Sequence, residues 1–186
     1  MRDKVINPAE EDIKIVIMGM ENAGKTTILN IIQKAVNVSP KNPPQMEPTK
    51  GVERKIFILF NKSVAVWDFG GQEAYRNEYI ANPDKYFHAI SLFYYVIDVQ
   101  DPYRIFPSVM YFTGVSNLIK NHSPVAKIIL LFHKMDPNFD PLQKNLKKIF
   151  LERIEPAIYT YELNYQIYDT TIFKLDSIRA PFLEQL

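Results

Sequence analysis

Apolar residues along this chain come in short blocks, and their spacing switches between two patterns. Ile13 to Met18 is a mainly apolar run of strand length, and Ile28, Leu29, Ile31 and Ile32 then recur at helical spacing across Lys25 to Val36. The Pro- and Asn-rich segment Asn37 to Gly51 reads as a loop. Val52, Lys55, Phe57 and Leu59, followed by Val64 to Asp68, predict two strands joined by a turn around Asn61 to Ser63, and so short a connection implies an antiparallel hairpin. Further buried strands are predicted at Ser91 to Asp98 and Lys127 to His133, with helices over Arg104 to Lys120 and Pro141 to Ile154. A last strand near Glu162 to Tyr168 and a closing helix from Leu175 complete the series. Strands alternating with helices call for an α/β fold with a mainly parallel sheet covered on both faces, whose ligands bind beyond the carboxyl ends of the strands.

Composition narrows the setting. The 186 residues suit one domain, taken as 13–186 behind an N-terminal extension of residues 1–12. Charges of both signs are interspersed and sum to +1, which gives no electrostatic case for nucleic acid or an anionic membrane. With no cysteine, disulfides, thiolate zinc sites, palmitoylation and prenylation are excluded. Arg2 stands where myristoylation needs glycine, and the longest apolar stretch, Ala89 to Ile97, is too short to span a bilayer. A cytoplasmic location is expected, with any membrane recruitment through partners rather than a direct anchor.

The chemistry is concentrated in the loops after the strands. Gly19 to Thr27, GMENAGKTT, matches GxxxxGK[ST] directly after a strand and before a helix, the loop whose backbone N–H groups cradle nucleotide phosphates. Glu21, Asn22, Ala23, Gly24, Lys25, Thr26 and Thr27 are therefore expected around the phosphates, with Lys25 on the β/γ oxygens and the Thr26 hydroxyl on Mg²⁺. In PTKG, Pro48 to Gly51, Thr49 adds a second hydroxyl for Mg²⁺ when a γ-phosphate is present. In WDFGGQE, Trp67 to Glu73, Asp68 ends an apolar strand where a carboxylate holds Mg²⁺ through water, Gly71 offers its N–H to the γ-phosphate, and Gln72 orients the attacking water. In HKMD, the Asp136 carboxylate suits the paired N1–H and N2–H donors of guanine, which adenine lacks, while Lys134 lies across the base. Thr170, Thr171 and Ile172 follow the last strand, where the Ile172 N–H can meet guanine O6.

The chain resembles the small GTPases of the Ras superfamily. GMENAGKTT and PTKG resemble the Arf branch, whereas WDFGGQE followed by NEYI, the string NHSPVAKIILLFHKMD, and TTIF resemble the Rag/Gtr GTPases. The resemblance implies a six-stranded sheet with five helices and a cycle in which GTP and GDP favour different shapes of two switch loops. It also implies an exchange factor, an activating protein and effectors as partners, and a monomer or a dimer formed across the switches. His133 stands where most small GTPases carry Asn, a feature shared with Rag-like members. Glu21 stands where Ras has Gly, in the path of an activator's arginine, as in Arf-like proteins. Neither the myristoylated Arf helix nor the Rag dimerisation domain is expected in this chain.

Three functions fit these residues: a hydrolysing GTP switch, a GTP- or GDP-bound scaffold with little hydrolysis, and a phosphate-loop kinase, against which HKMD argues. No arginine is evident in cis, so slow intrinsic hydrolysis is expected. His88 and His122 read as isolated, and Phe87, Phe93, Tyr94, Tyr95 and Phe112 as core. Some of Tyr75, Tyr79 and Tyr86 are expected to be exposed as a partner surface beside Gln72.

Overall fold

The structure is a computed structural model that describes residues 13–35, 49–59, 62–138 and 141–186. The expectations for residues 1–12, for residues 36–48, including Pro48, and for Asn61 lie outside the described residues. The elements in chain order are β1 (Ile13–Gly19), α1 (Lys25–Ala35), β2 (Val52–Leu59), β3 (Lys62–Phe69), α2 (Glu73–Ala81), α3 (Pro83–Tyr86), β4 (Leu92–Asp98), α4 (Ile105–His122), β5 (Lys127–His133), α5 (Pro141–Thr160), β6 (Tyr165–Thr170) and α6 (Leu175–Leu183). The strands form one six-stranded sheet in the order β2-β3-β1-β4-β5-β6. Only the β2–β3 pair is antiparallel. This is the small GTPase fold, with a four-residue helix, α3, beyond the five expected.

Two cores flank the sheet because successive strand residues point to opposite faces. On one side Val16, Met18, Phe93, Tyr95, Ile97, Leu130 and Phe132 pack with residues of α2 to α5, including Phe112 and Phe150. On the other, Ile15, Ile17, Tyr94, Val96, Ile129 and Leu131 pack against Ile28 and Ile32 of α1 and Ile178 and Phe182 of α6. The aromatics expected in the core, Phe87, Phe93, Tyr94, Tyr95 and Phe112, are all fully buried. His88 is exposed, and His122 pairs with Asp84 at 3.2 Å.

The hydrophobic pattern did not predict α2, and the reason is that Tyr79 is its only buried residue. That ring makes edge contacts with Phe69 and Tyr86, at centroid distances of 4.7 and 5.1 Å, and its hydroxyl donates to the Gly51 carbonyl at 2.8 Å. Tyr79 and Tyr86 are buried, which corrects their expected exposure, and Tyr75 is partly buried against the same core.

The helix predicted to stop at Ile154 runs on through Pro156 to Thr160. Pro156 is exposed, so the hydrogen bond that its missing N–H removes falls on the solvent face, while Ile154 and Ala157 stay buried. The helix ends in a Schellman motif: the Leu163 N–H donates to the Ile158 carbonyl at 3.0 Å, the Glu162 N–H to the Tyr159 carbonyl at 3.3 Å, and Glu162 takes φ 50°. This turn uses up Glu162 to Asn164 and delays the last strand to Tyr165. A left-handed conformation costs a side-chain-bearing residue about 1–2 kcal/mol, partly offset in glycine by its unfolded-state freedom. Glu162→Gly should therefore raise the denaturant unfolding free energy by about 0.5–1 kcal/mol, and Glu162→Val should lower it.

Candidate nucleotide-binding site

Beyond the carboxyl ends of β1, β3 and β5 lies a cavity of about 350 Å³. Its lining includes Glu21, Asn22, Gly24, Lys25, Thr26, Thr27, Thr49, Gly71, Gln72, His133, Lys134, Asp136 and Ile172. Of the residues expected at the ligand, Ala23, Asp68 and Thr171 stand behind this lining. Ala23, two residues before α1, is buried in the core with Ile28 and Leu29.

The phosphate end is built on the turn from β1 to α1. Asn22 and Gly24 have φ of 60° and 98°, which bends the loop back over the cavity. Lys25 is buried, and its ammonium donates to the carbonyls of Gly19 at 3.0 Å and Met20 at 2.7 Å. Burial lowers its pKa to about 8, with the Arg76 charge lowering it further while Asp68 and Glu21 oppose the shift. An anion in the cavity would favour the charged lysine.

Asp68, the next-to-last residue of β3, interacts with this lysine and is itself buried. Its Oδ2 accepts from the Thr26 hydroxyl at 2.7 Å and from Thr49 at 3.2 Å, and the two hydroxyl oxygens are 3.0 Å apart. Its Oδ1 is buried without a hydrogen-bond partner among the described residues, and desolvation pushes the carboxyl pKa up. Two hydroxyls and an under-satisfied carboxylate form an all-oxygen donor set, which fits Mg²⁺ better than a softer metal.

Gly71 brings the loop after β3 onto the phosphate loop. A Cβ on Gly71 would lie 2.4 Å from the Glu21 nitrogen and the Met20 carbonyl carbon, so no larger residue permits this approach. On the other side, the Gly70 N–H donates to the Gly51 carbonyl at 2.8 Å. The two glycines thus touch the Thr49–Gly51 segment and the phosphate loop at once. Gln72 follows as the N-cap of α2, without a side-chain capping bond.

The other end is made by β5 and β6. The His133 imidazole is buried, shares a hydrogen bond with the Thr170 hydroxyl at 2.9 Å, and lies so close to Gly24 that a Cβ there would be 2.4 Å from its Cδ2. His133 therefore joins the base loop to the phosphate loop by contact. Burial, reinforced by the Lys134 charge, lowers its pKa to about 4 and keeps it neutral near pH 7. Asp136 accepts from the Thr171 hydroxyl at 2.6 Å and from the Gln100 amide at 2.7 Å, while Gln100 also donates to the Lys134 carbonyl at 2.7 Å. Lys134, with φ 65°, pairs with Asp98 at 2.5 Å. Ile172 is half exposed at the rim.

Sequence reasoning missed Gln100 and Asp98, which hold Asp136 and Lys134, and named Thr170 without its contact with His133. Asp98 carried a signal, since it ends an apolar strand as Asp68 does; Gln100 carried none. Two arginines also stand in cis beside the phosphate loop, against expectation. Arg104 pairs with Glu21 at 3.0 Å and with Asp101, and Arg76 donates to the Gly71 carbonyl at 2.9 Å.

The fold and the cavity define a phosphate-loop domain of the small GTPase type. Residues 14–180 match the Gtr1/RagA G protein conserved region. The chain belongs to the Gtr1/RagA family. It is 30% identical over 167 residues to the GTP-binding protein gtr1 of Schizosaccharomyces pombe, covering 87% of this chain and 53% of that protein. It is 26% identical over 171 residues to GTP-binding protein GTR1 of Saccharomyces cerevisiae, covering 87% and 54%. The chain thus spans about half the length of these relatives. The Arl6 BBS3 small GTPase of Trypanosoma brucei, solved with the nucleotide analogue GppNp, shares the fold at a TM-score of 0.69 and 18% identity, over 94% of this chain and 95% of that one.

The buried His133 generates a pH signature. Its folded pKa of about 4 lies below the ordinary 6.5, so the unfolded chain takes up the proton first and stability falls as pH drops from about 6.5 to about 4. A shift of this size is worth on the order of 3 kcal/mol. Urea unfolding at pH 7 and pH 4 should show a larger loss for the wild type than for His133→Asn, by about that amount.

Proposed function

We propose that this chain is a guanine-nucleotide switch that binds GTP and GDP with Mg²⁺ and slowly hydrolyses GTP to GDP and phosphate. The observation that carries the reading is the cluster of Thr26 and Thr49, which line the cavity together with Asp136, and of Asp68 behind them, whose buried Oδ1 has no partner among the described residues. Thr26, Asp68 through water, and Thr49 would hold Mg²⁺, which when bound neutralises charge on the β and γ oxygens. Lys25 stabilises the charge of the transferred phosphoryl, and Gln72 orients the attacking water. Thr49 and Gly71 meet the γ-phosphate only while it is present, so its departure releases both loops and reports the nucleotide state to partners.

At the other end, the Asp136 carboxylate accepts from guanine N1–H and N2–H, with the backbone N–H of Ile172 on O6. Burying that carboxylate against adenine leaves it unpaired, which excludes ATP. Residues 13–186 form the switch domain. Among the described residues no helix is long and apolar enough to cross a membrane. We place the protein in the cytoplasm, brought to membranes by partners, with an exchange factor, an activating protein and effectors acting on it.

Single-turnover hydrolysis with Mg²⁺, read beside GTP, GDP and ATP affinities, tests this. Slow phosphate release that falls about tenfold or more in Gln72→Leu, with ATP not bound, is the expected result. Tight guanine binding without release in either protein would instead establish a nucleotide-bound scaffold, and transfer to an added acceptor a kinase. Asp136→Asn should weaken GTP binding about a hundredfold and favour xanthosine triphosphate, because an amide donor meets the 2-oxo group of xanthine. Equilibrium nucleotide competition checks this.

A further inference from the structure

Arg76, in the first turns of α2, carries a charge that the reading above does not use. Its side chain is partly buried rather than solvated, and among the described residues it forms no ion pair with a carboxylate. Instead, its guanidinium donates to the Gly71 carbonyl at 2.9 Å, lies 3.1 Å from the Met20 sulfur, and sits 5.4 Å from the centre of the Tyr111 ring. One side chain thus bridges three elements: the loop after β3, the phosphate loop and α4.

The Gly71 carbonyl belongs to the Gly71–Gln72 peptide. A donor fixed on that oxygen holds the peptide plane, and with it the start of α2 from which Gln72 projects. The contact complements the packing of Gly71 against Met20 and Glu21, which brings the same residue to the phosphate loop from its Cα side. Hydrogen bonds from a charged donor are about twice as strong as neutral ones, and a partly buried cation without a carboxylate partner keeps its field for an anion nearby. Lys25 lies within that field.

We propose that Arg76 is a positioning residue that holds the Gly71–Gln72 peptide against the phosphate loop and so sets both the hydrolysis rate and the preference for GTP over GDP. The inference rests on the GTPase reading and goes beyond it in assigning this role to an arginine of the chain itself. No bond forms or breaks at Arg76. It acts through Gly71, whose N–H in the preceding peptide meets the γ-phosphate, and through Gln72, which meets the water. Because GDP has no γ-phosphate, binding of GDP does not draw on the arrangement that Arg76 holds.

The test uses the full chain with Mg²⁺ and compares wild type, Arg76→Met and Arg76→Lys. Methionine keeps the apolar stem against Met20 and Tyr111 but removes the donor, whereas lysine restores a charged donor. The expected result is a fall of about tenfold or more in single-turnover hydrolysis for Arg76→Met and a GTP-to-GDP affinity ratio reduced about tenfold. GDP affinity and thermal midpoint should stay near wild type, and Arg76→Lys should recover a substantial part of both losses. Equal weakening of GTP and GDP with a lowered midpoint would overturn the proposal in favour of a purely structural contact. Wild-type hydrolysis and an unchanged affinity ratio in Arg76→Met would overturn it outright. Failure of the wild type to bind guanine nucleotides would remove the GTPase reading itself, and the proposal with it, which separates the two failures. If the wild type binds but does not hydrolyse, the affinity ratio alone decides.

Discussion

The carboxylate of Asp68 ties this molecule together at its functional end. It sits at the carboxyl end of β3, where Asp68 and its neighbour Phe69 are both buried, which puts it out of water beside Lys25 and within reach of the hydroxyls of Thr26 and Thr49. A buried carboxylate needs compensation, because desolvation costs it several kcal/mol unless hydrogen bonds or a cation offset the loss. The chain supplies part of that compensation through one oxygen and leaves the other bare. Three separate segments, the start of α1, the Thr49 segment and the end of β3, therefore converge on one group.

Close backbone approach supplies the second constraint. Gly71 is pressed against the phosphate loop, and Gly70 is hydrogen-bonded to Gly51. Tyr79 closes the same junction from below, with its ring in the core and its hydroxyl on the Gly51 carbonyl. Such packing has few intermediate positions, since side chains and backbone interlock at crystal-like density. The cavity, α2 and the start of β2 are thus joined through one interlocked junction.

The base end achieves rigidity by different means. His133 is a buried imidazole packed between Thr170 and Gly24, and burial favours its neutral form. Asp136 is held at both oxygens by Thr171 and Gln100, and Lys134 is held by Asp98, so the polar groups facing the cavity are restrained before any ligand arrives. The phosphate end gathers the cations Lys25 and Arg76, and Arg104 neutralises Glu21 at its edge. One end of the cavity thus suits a polyanion and the other a planar base.

The order of the strands, four of the six described helices, the antiparallel hairpin and the loops that line the cavity were legible in the sequence, because apolar periodicity and turn residues act locally. That the phosphate loop, Gln72 and Asp136 come together at one cavity, with Asp68 behind it, was legible because the motifs that hold them have fixed residue types at fixed distances from a strand end. What stayed hidden depends on neighbours remote in the chain. The burial of Tyr79 and Tyr86 follows from the facing Phe69, the run of α5 through Pro156 from a core contact on the helix's inner face, and the late start of β6 from a left-handed turn at a residue other than glycine. The roles of Gln100, Thr170, Arg76 and Arg104 belong to the same class. Local periodicity records which face of an element is buried, but only tertiary packing decides which polar side chains meet across the sheet.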